Sequence, residues 1–232
     1  MRAVPGAALA AVVIAATAAC SGSSGAKTSA ADVAAARRIN LAMADFPAGW
    51  RQEPPAPKNP ELTKQVLTCL HAENIEKNRT ADISSPTFTQ PGPSGTTGLA
   101  ASSEITFKSK SADAVKDYVS VSTVQAGGCV QTALRSLVER VLAGRAQSVS
   151  VDAGSVQPPP TAGNPGVGFS AKATAKINGQ ETSVAQGTVA VFFRGRKEMV
   201  VTSLGLGDQS FPPDLFANLV SVVADRANSA QR

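Results

Sequence analysis

Val167-Gly168-Phe169-Ser170-Ala171-Lys172-Ala173-Thr174-Ala175-Lys176-Ile177-Asn178-Gly179 is the stretch that decides the fold. Val167, Phe169, Ala171, Ala173, Ala175 and Ile177 alternate with Gly168, Ser170, Lys172, Thr174 and Lys176. A period of two places the apolar set on one face of a strand. Asn178-Gly179 follows at once, and that dipeptide favours a two-residue type I′ turn, because both central residues of such a turn need positive φ. The chain is therefore expected to return antiparallel from about Glu181 to Phe193. Arg194-Gly195-Arg196 should then turn it into a third strand, Glu198 to Leu204.

Upstream, Pro158-Pro159-Pro160 and Asn164-Pro165-Gly166 bound a loop, and Val149 and Val151 begin a short strand. Ser102 to Lys108 also alternates, with Ile105 and Phe107 on one face and Glu104, Thr106 and Lys108 on the other, which reads as a half-buried strand. Residues 82–90 form a further candidate strand, followed by a Pro/Gly-rich loop from Pro91 to Gly98.

Other segments carry helical spacing. From Glu61, residues Leu62, Val66, Cys69 and Leu70 form one stripe, which puts Cys69 on the buried side. Ser111 reads as an N-cap with Asp113 in the first turn. The helix it opens carries Val115, Tyr118 and Val119 on one side and should stop at Gly127-Gly128. A second helix starts near Cys129, with Val130, Leu134, Leu137, Val138 and Val141 inward and Gly144 as its stop. Pro212-Pro213-Asp214 opens a last helix with Leu215, Phe216, Leu219, Val220 and Val223 inward. The expected fold class is α+β, an antiparallel sheet of about five or six strands with three or four helices packed on it. The βαβ alternation of a parallel doubly wound sheet is missing.

The first residues carry an address. Met1-Arg2 is a short positive start, Ala7 to Ala16 is apolar, and Thr17-Ala18-Ala19-Cys20 closes the segment. This is the layout of a secretory signal peptide, and the cysteine after small residues makes it lipobox-like. Cleavage would leave an acylated Cys20 as the mature N-terminus. An uncleaved anchor fits less well, since spanning takes about 20 apolar residues and Pro5-Gly6 interrupts early. The organisation is therefore a signal peptide over 1–19, a lipidated flexible tether of Ser, Gly and Ala over 20–31, and a single extracytoplasmic domain over 32–232. The predicted location is the outer face of the cell membrane.

The chain has 3 cysteines. With Cys20 assigned to lipid, Cys69 and Cys129 remain as an even pair in an oxidising compartment, which predicts a disulfide. A zinc site lacks ligands, because there is no Cys-x-x-Cys and His71 is the only histidine. A Ser-His-Asp triad would have to use that histidine, which sits on the expected helix beside Cys69 with no nucleophile elbow nearby. Gly166-Val167-Gly168-Phe169-Ser170-Ala171 formally fits a dinucleotide fingerprint but leads into a strand instead of a helix. Carboxylate pairs Glu73/Glu76 and Asp113/Asp117 lie beside lysines, as on solvated helix faces. Arg194, Arg196 and Lys197 form a basic hairpin tip that reads as a solvated turn. The net charge of +5 is scattered, so nucleic acid is not an expected partner. No catalytic residue, metal or cofactor is called for.

The lipobox, Asp45-Phe46-Pro47-Ala48-Gly49-Trp50, the Cys69/Cys129 pair and the strand-then-helix stretch 102–126 together resemble actinobacterial exported lipoproteins of unknown function. That group includes proteins similar to the extracellular sensor domain of mycobacterial Ser/Thr kinases and the LpqN-type lipoproteins of Mog1/PsbP-like fold. The sensor domain has two disulfides, whereas this chain can form one. The resemblance implies a non-enzymatic role in the cell envelope. The expected function is a lipid-anchored binding or sensor/interaction module that docks an envelope protein or senses a small molecule. The alternative is a carrier of a lipid or other small hydrophobic ligand. Whether the sheet's inner face is filled or hollow separates the two.

Overall fold

The structure, a computed structural model, describes residues 27–72, 75–92, 97–161 and 163–230. The signal peptide over 1–19 and Cys20 lie outside the described residues. In chain order the elements are α1 (Ala30–Ile39), β1 (Arg51–Glu53), α2 (Pro60–Cys69), β2 (Arg79–Ser84), β3 (Thr87–Pro91), β4 (Thr97–Lys108) and α3 (Ser111–Val121). They continue with α4 (Ala126–Val141), β5 (Ser148–Val156), β6 (Gly166–Ile177), β7 (Gln180–Arg194), β8 (Lys197–Leu206) and α5 (Pro213–Ser229).

The turn at Asn178 and Gly179 has φ of 52° and 82°, as the Asn-Gly dipeptide demands. It sets β6 and β7 antiparallel, and β8 extends the meander. The sheet runs β1-β3-β4-β8-β7-β6-β5, with β2 also pairing β4. β2 and β3 lie end to end along one edge of the long strand β4. Every pairing is antiparallel. The class is α+β as expected, but among the described residues there are eight strands where five or six were expected and five helices where three or four were. The excess arises because short polar or proline-broken segments pair as strands and the stretch from Ala30 is helical.

Helices cover both faces. On one, α1 and α5 pack on Phe88, Ile105, Phe192, Met199 and Val201. Phe46, Trp50 and Phe211 close the end of that core, with ring centroids 4.8 Å apart for Phe46–Trp50 and 5.7 Å for Trp50–Phe211. On the other face, α2 and α4 pack over Val151, Ala173, Ala175, Ala185 and Leu204. The small residues of β6 permit this close approach. So does Gly127 in α4, where a Cβ would lie 3.2 Å from the Gly154 backbone. α3 lies on the same face, its Tyr118 ring 5.3 Å from that of Phe193.

Several boundaries differ from the sequence expectation. β1 is a three-residue strand, Arg-Gln-Glu, exposed throughout and without apolar periodicity; the backbone ladder pairs it with β3, and Thr89 Oγ1 donates to Glu53 Oε1 at 2.9 Å. The single strand expected over 82–90 is two, broken at Ser85-Pro86, because proline has no N–H for the ladder. α1 starts at Ala30, inside the stretch assigned to the tether, because Ser29 caps it by accepting from the Asp32 N–H at 3.2 Å. α3 ends at Val121, and Gly127-Gly128 form the first turn of α4 instead of stopping α3. Ser111 is the first helical residue; Lys110 holds the cap position. Val115 and Val119 of α3 point outward, 58% and 62% exposed, while Ala114 and Asp117 are buried.

A candidate ligand cavity between the helices and the sheet

β4 carries its alternation as expected, yet the polar half does not meet water. Glu104, Thr106 and Lys108 are 6%, 4% and 1% exposed, because α2 and α3 lie over that face. Glu198 of β8 stands opposite Thr106 across the ladder, and Glu104 opposite Val200. A band of ionisable side chains is thus sealed between sheet and helices. Lys58 Nζ lies 3.0 Å from Asp82 Oδ2 and 3.7 Å from Glu104 Oε1, and Arg79 Nη1 lies 3.1 Å from Asp82 Oδ2. Lys108 Nζ lies 2.5 Å from Asp117 Oδ2 and 3.7 Å from Glu198 Oε1. It also donates to the carbonyls of Ile75 and Lys77.

Burial decides how these carboxyls titrate. It pushes Glu104 well above the usual glutamate range, and the negative charge of Asp82 adds to the rise. Burial likewise raises Glu198, helped by its hydrogen bond with Asp117 and opposed by the Lys108 ammonium. Burial would raise Asp82 as well, but the hydrogen bond from Glu104 and the charges of Arg79 and Lys58 outweigh it, and Asp82 is lowered. The surroundings thus favour the protonated form of Glu104 and Glu198 and the ionised form of Asp82.

Above this band is a cavity of about 160 Å³. Its roof is the inner stripe of α2 (Leu62, Val66) and of α4 (Val130, Leu134); its walls are Phe169, Val191 and Val200 of the sheet. Glu104, Glu198, Arg79 and Thr106 form its polar floor. An empty apolar cavity of about 150 Å³ is large enough to admit benzene. The chemistry on offer is an apolar cavity with hydrogen-bonding, ionisable groups at one side.

The disulfide joins the two roof helices. Cys69 and Cys129 are bonded with Cα atoms 5.6 Å apart across 60 residues of chain. Cys129 is buried, but Cys69 is exposed, so the bond fastens the outer side of the helix pair and does not pack into the core as its stripe position implied. His71 lies just past the end of α2 with φ of 52°, exposed and outside the cavity lining. Asp117 is no solvated carboxylate, since Lys108 holds it. The basic tip is not a free turn either. Arg196 pairs with Asp32 at 2.9 Å and donates to the Lys108 carbonyl at 2.6 Å, while buried Lys197 donates to the Ala227 carbonyl.

Sequence reading missed Glu104, Glu198, Lys108 and Arg79 as a group. One signal was present. Met199-Val200-Val201 in β8 is apolar on both faces, the mark of a strand covered on both sides. A strand paired with it is covered too, so its polar residues have to be buried and partnered.

No protein-family model matches the chain, and no curated protein matches it. Among solved structures the chain is similar to the extracellular domain of PknH from Mycobacterium tuberculosis, with a TM-score of 0.35 and 9% identity over 69% of each chain. At that level of likeness the site has to be read from its own chemistry.

Proposed function

We propose that the chain is an extracytoplasmic, lipid-anchored binding module with no catalysis of its own, whose ligand site is the cavity between α2, α4 and the sheet. The observation that carries this reading is an apolar cavity between helices and sheet with ionisable groups gathered at one side. Binding sites commonly combine apolar walls with a few placed polar groups. The lipobox-like Thr17-Ala18-Ala19-Cys20 and a disulfide, which persists in oxidising compartments, support the location. A carrier of lipid tails is the weaker reading. Sites for drug-sized ligands run to about 300–1,000 Å³, and a space of about 160 Å³ suits a compact molecule instead.

Benzene-sized probes of different charge test the proposal: benzene, benzyl alcohol, benzylammonium and phenylacetate, followed by ligand-observed NMR on the exported full chain. Saturable binding of at least one probe is expected, and Ala133→Leu, which places three more carbons against the cavity lining, should abolish it while the melting temperature holds. Absence of saturable binding across the set, or binding that Ala133→Leu leaves untouched, overturns the proposal.

A further inference from the structure

The band of ionisable side chains beneath the cavity, of which Glu104, Glu198 and Arg79 reach its lining, holds more acid than base. Asp82, Glu104, Asp117 and Glu198 face Lys58, Arg79 and Lys108, so four carboxyls share three cations. Each cation is engaged. Arg79 lies against Asp82, Lys58 bridges Asp82 and Glu104, and Lys108 is held by Asp117 and by two backbone carbonyls. Glu198, 7% exposed, lines the cavity, and its Oε1 accepts no hydrogen bond; the nearest described cation, Lys108, is 3.7 Å away. Glu76, on the turn before β2, buries another carboxylate oxygen without a hydrogen bond. A buried charge is costly unless paired and hydrogen-bonded. The surplus therefore calls for either a proton or an added positive group.

We propose that the cavity selects a small organic cation, an ammonium group on a compact hydrocarbon body of about benzene size, with Glu198 and Glu104 as its counter-ions. This rests on the cavity being the ligand site. A metal ion fits less well: among the described residues no group of three or more His, Cys, Asp or Glu side chains is arranged to hold one, and the space above the carboxyls is hydrocarbon. An anionic ligand would meet a floor already in carboxylate surplus. The ammonium takes the place of the proton that neutralises the floor in the empty protein. A carboxyl O–H proton leaves to solvent, and an N–H donor replaces it on the freed oxygen.

The test compares benzylammonium, benzyl alcohol and phenylacetate on the exported full chain by titration calorimetry. Benzylammonium should bind at least about tenfold more tightly than benzyl alcohol, the scale of one hydrogen bond to a charged partner, and phenylacetate more weakly than either. Calorimetry in buffers of different ionisation enthalpy should show proton release on binding benzylammonium and none on binding benzyl alcohol. Glu198→Gln should erase the preference for the cation. Equal affinity of benzylammonium and benzyl alcohol, or a preference for phenylacetate, overturns the cation assignment while leaving the cavity as a binding site. Failure of all three probes overturns both.

Discussion

Glu104 and Glu198 show what a single residue contributes when the sheet is closed over. On the sequence Glu104 is the outward half of an alternation; in the fold it is a buried carboxyl whose surroundings favour the protonated form. Folding raises the affinity of both glutamates for a proton above its unfolded level, an ordinary pKa of about 4.3. Their stabilising contribution is therefore complete below that value and is lost as pH rises through the raised, folded-state range. Asp82 has the opposite sign, contributing above its unfolded pKa of about 3.9 and losing that contribution as pH falls through its lowered value. Glu104→Gln and Glu198→Gln remove the proton from the balance. Urea unfolding at a series of pH values should show wild-type stability falling, relative to either glutamine variant, as pH rises above about 4.3. Parallel profiles would mean that the carboxyls titrate alike in both states. Lys108 is the complementary case. Lys108→Met leaves Asp117 and Glu198 without their cation, and breaking a buried ion pair from one side costs about 3–5 kcal/mol, readable in the same unfolding experiment.

At the scale of elements, the roof over the cavity depends on the α2–α4 pair. α2 is ten residues long, begins at a side-chain cap where Asn59 accepts from the Leu62 N–H at 3.1 Å, and has only Leu62 and Thr63 fully buried. A helix this short is marginal alone in water, so its position depends on packing and on the bond to Cys129. Closing a loop of 60 residues stabilises by about 4 kcal/mol in the chain-entropy model. Reduction should lower the melting temperature markedly and weaken binding of the benzene-sized probes at temperatures where the fold survives. Two free thiols in the untreated protein by mass shift would contradict the bond. Cys69 is exposed, so mild reductant should reach it without unfolding the chain.

For the whole molecule, the folded layers and the membrane address are separate. No helix among the described residues is long and apolar enough to cross a membrane, and α1 begins only ten residues after Cys20. The lipobox-like Thr17-Ala18-Ala19-Cys20 is what predicts a lipid anchor on Cys20, two or more acyl chains being needed for stable attachment. Cys20→Ser should move the protein from the membrane to the soluble fraction on cell fractionation. A variant that remains as membrane-associated as wild type would place the anchor elsewhere.

Short-range signals determined much by themselves: the Asn178-Gly179 turn, the β6–β7–β8 meander, the start of α5 and the pairing of two cysteines. Each depends on local backbone preference, side-chain period or residue count, and those act within a few residues. Only the tertiary structure decided which faces meet water. Period two says that Glu104, Thr106 and Lys108 share a face, but not that α2 and α3 lie over it, nor that Glu198 stands on the neighbouring strand. The outward turn of Val115 and Val119 has the same origin, because α3 presents Asp117 to Lys108, a partner on another element. The band of carboxyls and the cavity above it exist only where three helices and five strands converge, and no local preference in the chain encodes that meeting.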